Sequence, residues 1–194
     1  MSISHRPSDE TLAAFATGQL DEGMALVVAC HVAADSQSHA RVRDLQAVQG
    51  AFLDAVDPVA MRSGPREVTG RVPAAIPRAP VEAGMPDVLR PYALGPWRRI
   101  GIRIAMRRVD VPGSDSRVFM LRAGPGIALP HHKHSGVEWT TILAGAYEHE
   151  YGRFAAGDFD EADTEHDHTP RVDAVEGCTC IVALTGDVLF QSWL

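Results

Sequence analysis

"LPHHKHSGVEWTTILAGAY", residues 129–147, gathers three histidines, a glutamate and two glycines into one short run. On an extended strand successive side chains point to opposite faces. His132 and His134 therefore share one side, while His131 points the other way and reads as a surface residue. Glu138 follows beyond a Ser135-Gly136 turn that can bring it back toward the pair. Two imidazoles and a carboxylate facing one point suit a divalent ion such as Zn²⁺, Fe²⁺ or Mn²⁺. Without an ion, two histidines facing a barrel interior would be buried polar groups lacking partners. A fourth ligand is best supplied by His168 in "DHTP", with His166 as its rival. Between lies "GRFAAGDF", whose Gly157-Asp158 reads as a tight hairpin turn. His149 and His166 have no comparable support.

The surroundings of this stretch read as β-structure. From Trp97 onward, short apolar or alternating runs are divided by glycine and proline. Candidate strands cover residues 100–109, 118–122, 138–143, 146–150 and 178–184, a spacing that suits a sandwich or barrel. Cys178 and Cys180 alternate within the last of these and fall on one face. Two small buried hydrophobes are the plain reading of that pair; a redox or ligand role is the alternative. With Cys30 the cysteines number three, too few and too oddly numbered for a disulfide scaffold.

Upstream the texture changes twice. Residues 8–57 read as helices: Ser8 is placed as an N-cap with Asp9 and Glu10 in the first turn. Asp21 can cap a second helix running to about Val32. A third runs from about Ser36 to Val56, with Val42, Leu45, Val48, Phe52 and Val56 on one stripe. Such helices would form a small bundle with a meagre core. Eight of the thirteen prolines then fall between Pro58 and Pro96. That density marks a linker, with room for one short helix near Pro86 to Tyr92. The expected organisation is a helical domain over residues 1–60, a linker over 61–96 and an all-β domain over 97–194.

Composition limits the function classes. A formal charge of −7 argues against bulk nucleic-acid binding and suits a basic protein partner. No run reaches the roughly 18 apolar residues of a membrane span, and the first residues lack a signal-peptide layout, so a cytoplasmic location is expected.

Gly126, then five residues, His132-Lys133-His134, three residues, Glu138, six residues and Gly145 resemble the first cupin motif in full. "YGRFAAGDF" followed by His168 resembles the second, with looser spacing and no proline before the glycine. The resemblance implies a jelly-roll barrel holding one metal by His132, His134, Glu138 and His168, with zinc foremost and iron, manganese or nickel as alternatives. Helices, proline-rich linker and cupin in this order, together with "GPWRRI", "GRFAAGDFDEAD" and "CTCIVAL", resemble the ChrR-like cupin-containing anti-sigma factors over nearly the whole chain. That family's helical half carries a zinc motif of a histidine before the first helix and a His-x-x-x-Cys-x-x-Cys run.

Here the motif is degenerate: His5 and His31 stand, but Asp35 and Ser38 occupy the cysteine positions. Three accounts follow. A second zinc is held by His5, His31, Asp35 and His39 or water; or the helices pack without metal; or Cys30 is recruited. The resemblance implies inhibition of an extracytoplasmic-function sigma factor and a cupin that senses singlet oxygen or organic peroxide. Two other readings stay open, as does a homodimer. One is a metal-dependent cupin enzyme, a dioxygenase or hydrolase, with a helical oligomerisation arm. The other is a small-molecule-binding cupin that regulates another partner.

Overall fold

A helix that is apolar on every side must be covered on every side, and residues 22–34 form such a helix. The computed structural model describes residues 3–60 and 85–190. Three helices come first: α1 (Asp9–Ala16), α2 (Glu22–Ala34) and α3 (Ser36–Ala51), the last prolonged by a 3-10 turn over Phe52–Ala55. Each begins at a side-chain cap. Ser8 accepts from the Thr11 N–H, Asp21 from the Gly23 N–H and Asp35 from the Ser38 N–H.

Eleven strands follow in chain order: β1 (Ala93–Leu94), β2 (Arg98–Gly101), β3 (Ile104–Asp110), β4 (Arg117–Ala123), β5 (His132–His134), β6 (Glu138–His149), β7 (Gly152–Ala155), β8 (Phe159–Ala162), β9 (Arg171–Val172), β10 (Cys178–Leu184) and β11 (Val188–Phe190). The large sheet runs β1-β3-β4-β10-β6-β7, with β2 on β3 and with β8 and β9 on β6; β5 pairs with β11. Every one of these pairings is antiparallel.

Three details differ from the sequence reading. The strand expected at 100–109 is a hairpin of β2 and β3 turned near Arg103, whose φ is +58°. The strands expected at 138–143 and 146–150 are one strand, β6, with a register shift opposite Thr179/Cys180. Gly145 sits beside that shift at φ +71°, and a Cβ there would lie 2.0 Å from the Gly177 carbonyl, so only glycine fits. Gly157-Asp158 is not a hairpin turn. β7 and β8 both run antiparallel to β6, and the Gly157 N–H donates to the Ile142 carbonyl at 2.8 Å. The glycine bends one returning strand.

The helices do not form a bundle with its own small core. Along β10, Cys178, Cys180, Val182 and Leu184 face the barrel interior with Ile142, Tyr147 and Phe154. Ile181 and Ala183 face outward, into a cluster with Leu12, Leu26, Val27, Val28 and Val42 of the helices. A strand buried on both faces reads as a continuous apolar run, which is why "CTCIVAL" lacks polar alternation. Thr141 Oγ1 donates to the Val27 carbonyl at 2.7 Å across the same junction. Polar contacts close its rim: Asp21 accepts from Ser114 Oγ at 2.6 Å, and Glu161 accepts from the Ser8 N–H at 2.9 Å.

The proline-rich linker expectation falls mostly on residues 61–84, outside the described residues. Its short helix is a 3-10 turn over Asp87–Leu89, and Leu89 is buried in the cluster that α2 shares with the sheet. No helix among the described residues is long and apolar enough to cross a membrane.

Because Ile181 packs the barrel against α2, Ile181→Ala should cost about 2–5 kcal/mol. Helix and sheet signals should be lost together in one urea transition; separate transitions for the helical and near-ultraviolet signals would contradict a shared core.

Candidate metal centre

β5 and β6 bring the metal-ligand pattern into the barrel. His132 and His134 are both buried on the inner side of β5, and exposed Lys133 lies between them. Glu138 opens β6. His168 is held opposite His132 by two backbone hydrogen bonds of 3.2 Å. The imidazole nitrogens converge: His168 Nε2 lies 3.0 Å from His132 Nε2 and 3.2 Å from His134 Nε2. Glu138 faces the same point, with oxygens 3.6 Å from His134 Nδ1 and 3.9 Å from His168 Nε2.

This arrangement fits an ion. Two metal–nitrogen bonds of about 2.0–2.1 Å at a tetrahedral angle span about 3.3 Å, close to the observed separations. The His132 Nδ1–H donates to the Pro130 carbonyl at 2.8 Å, which leaves its Nε2 lone pair free to point inward. His134 Nδ1 and His168 Nδ1 are buried without a hydrogen-bond partner among the described residues. The interior chemistry favours neutral rings: burial and then His132 push His134 down to about 4 and His168 down to about 3. Burial and then the charge of Asp160 push Glu138 up to about 8.

His131 is half-buried and lies 3.0 Å from the Thr169 hydroxyl, as its opposite orientation required. His166 lies outside the cluster and pairs with Asp163 at 2.8 Å. His149 is different from its sequence reading. Its Nε2 donates to Asp160 Oδ2 at 2.8 Å, and the same oxygen accepts from the Tyr147 hydroxyl at 2.6 Å. Burial works to raise the Asp160 carboxyl, but these two donors outweigh it and hold the group below its ordinary value. The His149 ring lies 4.8 Å from that of His168. His149, Asp160 and His168 are thus a second group whose ligand atoms approach closely enough to share an ion. The signal for Asp160 was present in the alternation of "DFDEA". Phe159 and Glu161 face the helices there, and Asp160 turns inward opposite Thr140.

Beside the ligands lies a cavity of about 1010 Å³, walled largely by apolar residues such as Phe119, Leu121, Val182 and Leu184. That is far more than an ion needs and enough for a small organic molecule. Cys178 and Cys180 lie on its wall, and contact with Cys178 together with burial pushes the Cys180 thiol well above its ordinary range.

The N-terminal set is not brought together. His5 stacks on Phe154 at 4.3 Å between ring centres, and His39 is exposed on α3. His31 is fully buried 3.8 Å from Asp35, but Asp35 pairs with Arg6 at 2.8 Å. Cys30 is buried in the helix–sheet core, where burial pushes its thiol up to about 12. Among the described residues, neither group of side chains close enough to share an ion includes any of these. Arg6 had no place in the sequence reading.

Residues 92–186 match the family described as the ChrR Cupin-like domain. The chain is 35% identical over 207 aligned positions to the anti-sigma-E factor ChrR of Cereibacter sphaeroides, an alignment spanning all of this chain and 95% of that protein. A chain in the crystal structure of Rhodobacter sphaeroides SigE in complex with the anti-sigma ChrR superposes with a TM-score of 0.76 at 32% identity, covering 94% of this chain and 100% of that one.

Since Glu138 holds its proton up to about pH 8 without an ion, metal must displace that proton at neutral pH. Zinc affinity should rise about tenfold per pH unit below that value and level off above it. Competition with a chromophoric chelator across this range measures the slope, and Glu138→Gln should flatten it.

Proposed function

This chain belongs to the ChrR family of cupin-bearing anti-sigma factors, and on that premise we propose that it binds and inhibits an extracytoplasmic-function sigma factor through its helical half. The observation that carries the reading is the end of α3 and the turn beyond it. Leu12, Leu26 and Val42 are spent on the core, yet Val48, Phe52, Leu53 and Val56 are each more than 60% exposed. The apolar stripe of α3 is therefore divided, its first part structural and its last part bare. A run of large apolar side chains left to solvent beside a formal charge of −7 suits a partner with an apolar groove and basic surroundings.

The barrel is proposed to hold one divalent ion by His132, His134, Glu138 and His168. Three neutral imidazoles and one carboxylate suit zinc, with iron, manganese or nickel able to use the same donors. A bound ion would supply Lewis acidity at these donors, which lie beside the apolar cavity. The residues around it supply position: Pro130 fixes the His132 tautomer, and Asp160 holds His149 beside His168. The signal proposed for this site is oxidative, singlet oxygen or an organic peroxide, reaching the ion through the cavity. The cavity also suits the second reading, a metal-dependent oxygenase or hydrolase. Oxygen consumption by the iron-loaded protein with apolar substrates would distinguish it.

The test of the main reading is co-expression of the full chain with a cognate sigma factor, followed by transcription from a sigma-dependent promoter. A stable complex that silences transcription supports it; a full chain that neither co-elutes nor inhibits refutes it. Within that assay, Phe52→Ser combined with Leu53→Ser should weaken binding tenfold or more, the scale of losing about 1.4 kcal/mol or more of buried contact, while leaving the thermal midpoint unchanged.

A further inference from the structure

The residues that take the zinc-motif positions, Asp35 and Ser38, with His31, form a closed polar cluster where residues 3–6, α2, α3 and the bend at Gly157 meet. Asp35 Oδ2 accepts from Arg6 Nε at 2.8 Å, from the Ser38 N–H at 2.9 Å and from Ser38 Oγ at 2.8 Å. Two N–H donors and a hydroxyl crowd this one oxygen, against the lone pairs that an ion would need. Arg6 Nη2 approaches Asp35 Oδ1 at 3.5 Å and donates to the Ile3 carbonyl at 3.1 Å, so the guanidinium ties the segment of residues 3–6 to the start of α3.

His31 is equally committed. Its Nδ1 lies 2.7 Å from the Gly157 carbonyl, which can only accept, so this nitrogen carries the proton. Its Nε2 lies 2.9 Å from Ser38 Oγ, whose one hydroxyl hydrogen serves either this nitrogen or Asp35 Oδ2. The remaining candidates are elsewhere: His5 against Phe154 and Asp158, His39 in solvent. A divalent ion bound between His31 and Asp35 would have to displace a guanidinium already bonded to that carboxylate, and it would gain a neutral hydroxyl as its next donor.

We propose that the Arg6 guanidinium stands in place of a metal ion at this junction, so that the helical half is a metal-free unit closed by the chain Arg6–Asp35–Ser38–His31–Gly157. The positive charge that holds residues 3–6 to α2 and α3 is then covalently part of the protein. A chelator cannot remove it, and positions 35 and 38 offer no thiol to an oxidant. Metal dependence of the sigma grip, where it is seen, arises in the barrel.

The test is zinc stoichiometry of the purified full chain after equilibration with excess zinc and gel filtration. Wild type and Asp35→Asn should each retain one equivalent and His168→Ala, which breaks both ligand groups of the barrel, none. A second equivalent in the wild type that is lost in Asp35→Asn, or one retained by His168→Ala, overturns the proposal. No zinc in the wild type refutes the barrel assignment while agreeing with a metal-free helical half. The replacement itself is read from Arg6→Met, which should lower the thermal midpoint by roughly 5 °C with or without chelator. An Arg6→Met protein as stable as the wild type overturns it.

Discussion

The packing of α2 against the outer face of β6 and β10 is the constraint on which the molecule depends. α2 is apolar all round, so it cannot be a surface helix. β10 has apolar side chains on both faces, so it cannot be a strand with one wet side. Each is the cover the other requires. Burial of Val27, Val28, Ile181 and Ala183 in one cluster meets both needs, and the hydroxyl of Thr141 on the Val27 carbonyl fixes the register between them. Neither half has a complete core alone.

That junction places the candidate metal ligands one strand's thickness from the helices. β6 carries Glu138 toward the ligand cluster and Thr141 toward α2. β8 does the same by alternation: Asp160 faces His149 and the metal ligands, and its neighbours face outward. Phe159 meets the ring of His31 edge-on at 5.7 Å, and Glu161 accepts from Ser8 and Thr11 at the start of α1. A shift of either strand would be felt on both sides, because packed interiors do not yield smoothly. This contiguity gives a physical basis for a barrel that governs helices without a long-range relay.

The sequence was most legible where a residue's role is set by its neighbours in the chain. Caps at Ser8 and Asp21, the β texture after Trp97 and the same-side placement of His132 and His134 are local facts, and each appears in the structure as read. The convergence of His132, His134, Glu138 and His168 was legible because their spacing matches a motif. What lay hidden depends on contacts between distant segments. Asp160 and His149 become neighbours only when β8 pairs with β6. The stripe on α3 lies along one apolar face, yet α1 and α2 cover only its first part, leaving Val48, Phe52 and Val56 bare. Arg6 was invisible for the same reason: an arginine near the first residue has no meaning until Asp35 is folded against it, 2.8 Å away.

The coupling between ion and helices is the claim most worth testing directly. Amide hydrogen exchange on the full chain, metal-loaded and stripped, measures it without a partner protein. The account predicts that stripping lowers protection in β5, β6 and β8 and in α2 together. Loss of protection confined to the barrel strands, with α2 unchanged, would contradict it and leave the ion without a route to the surface that grips the sigma factor.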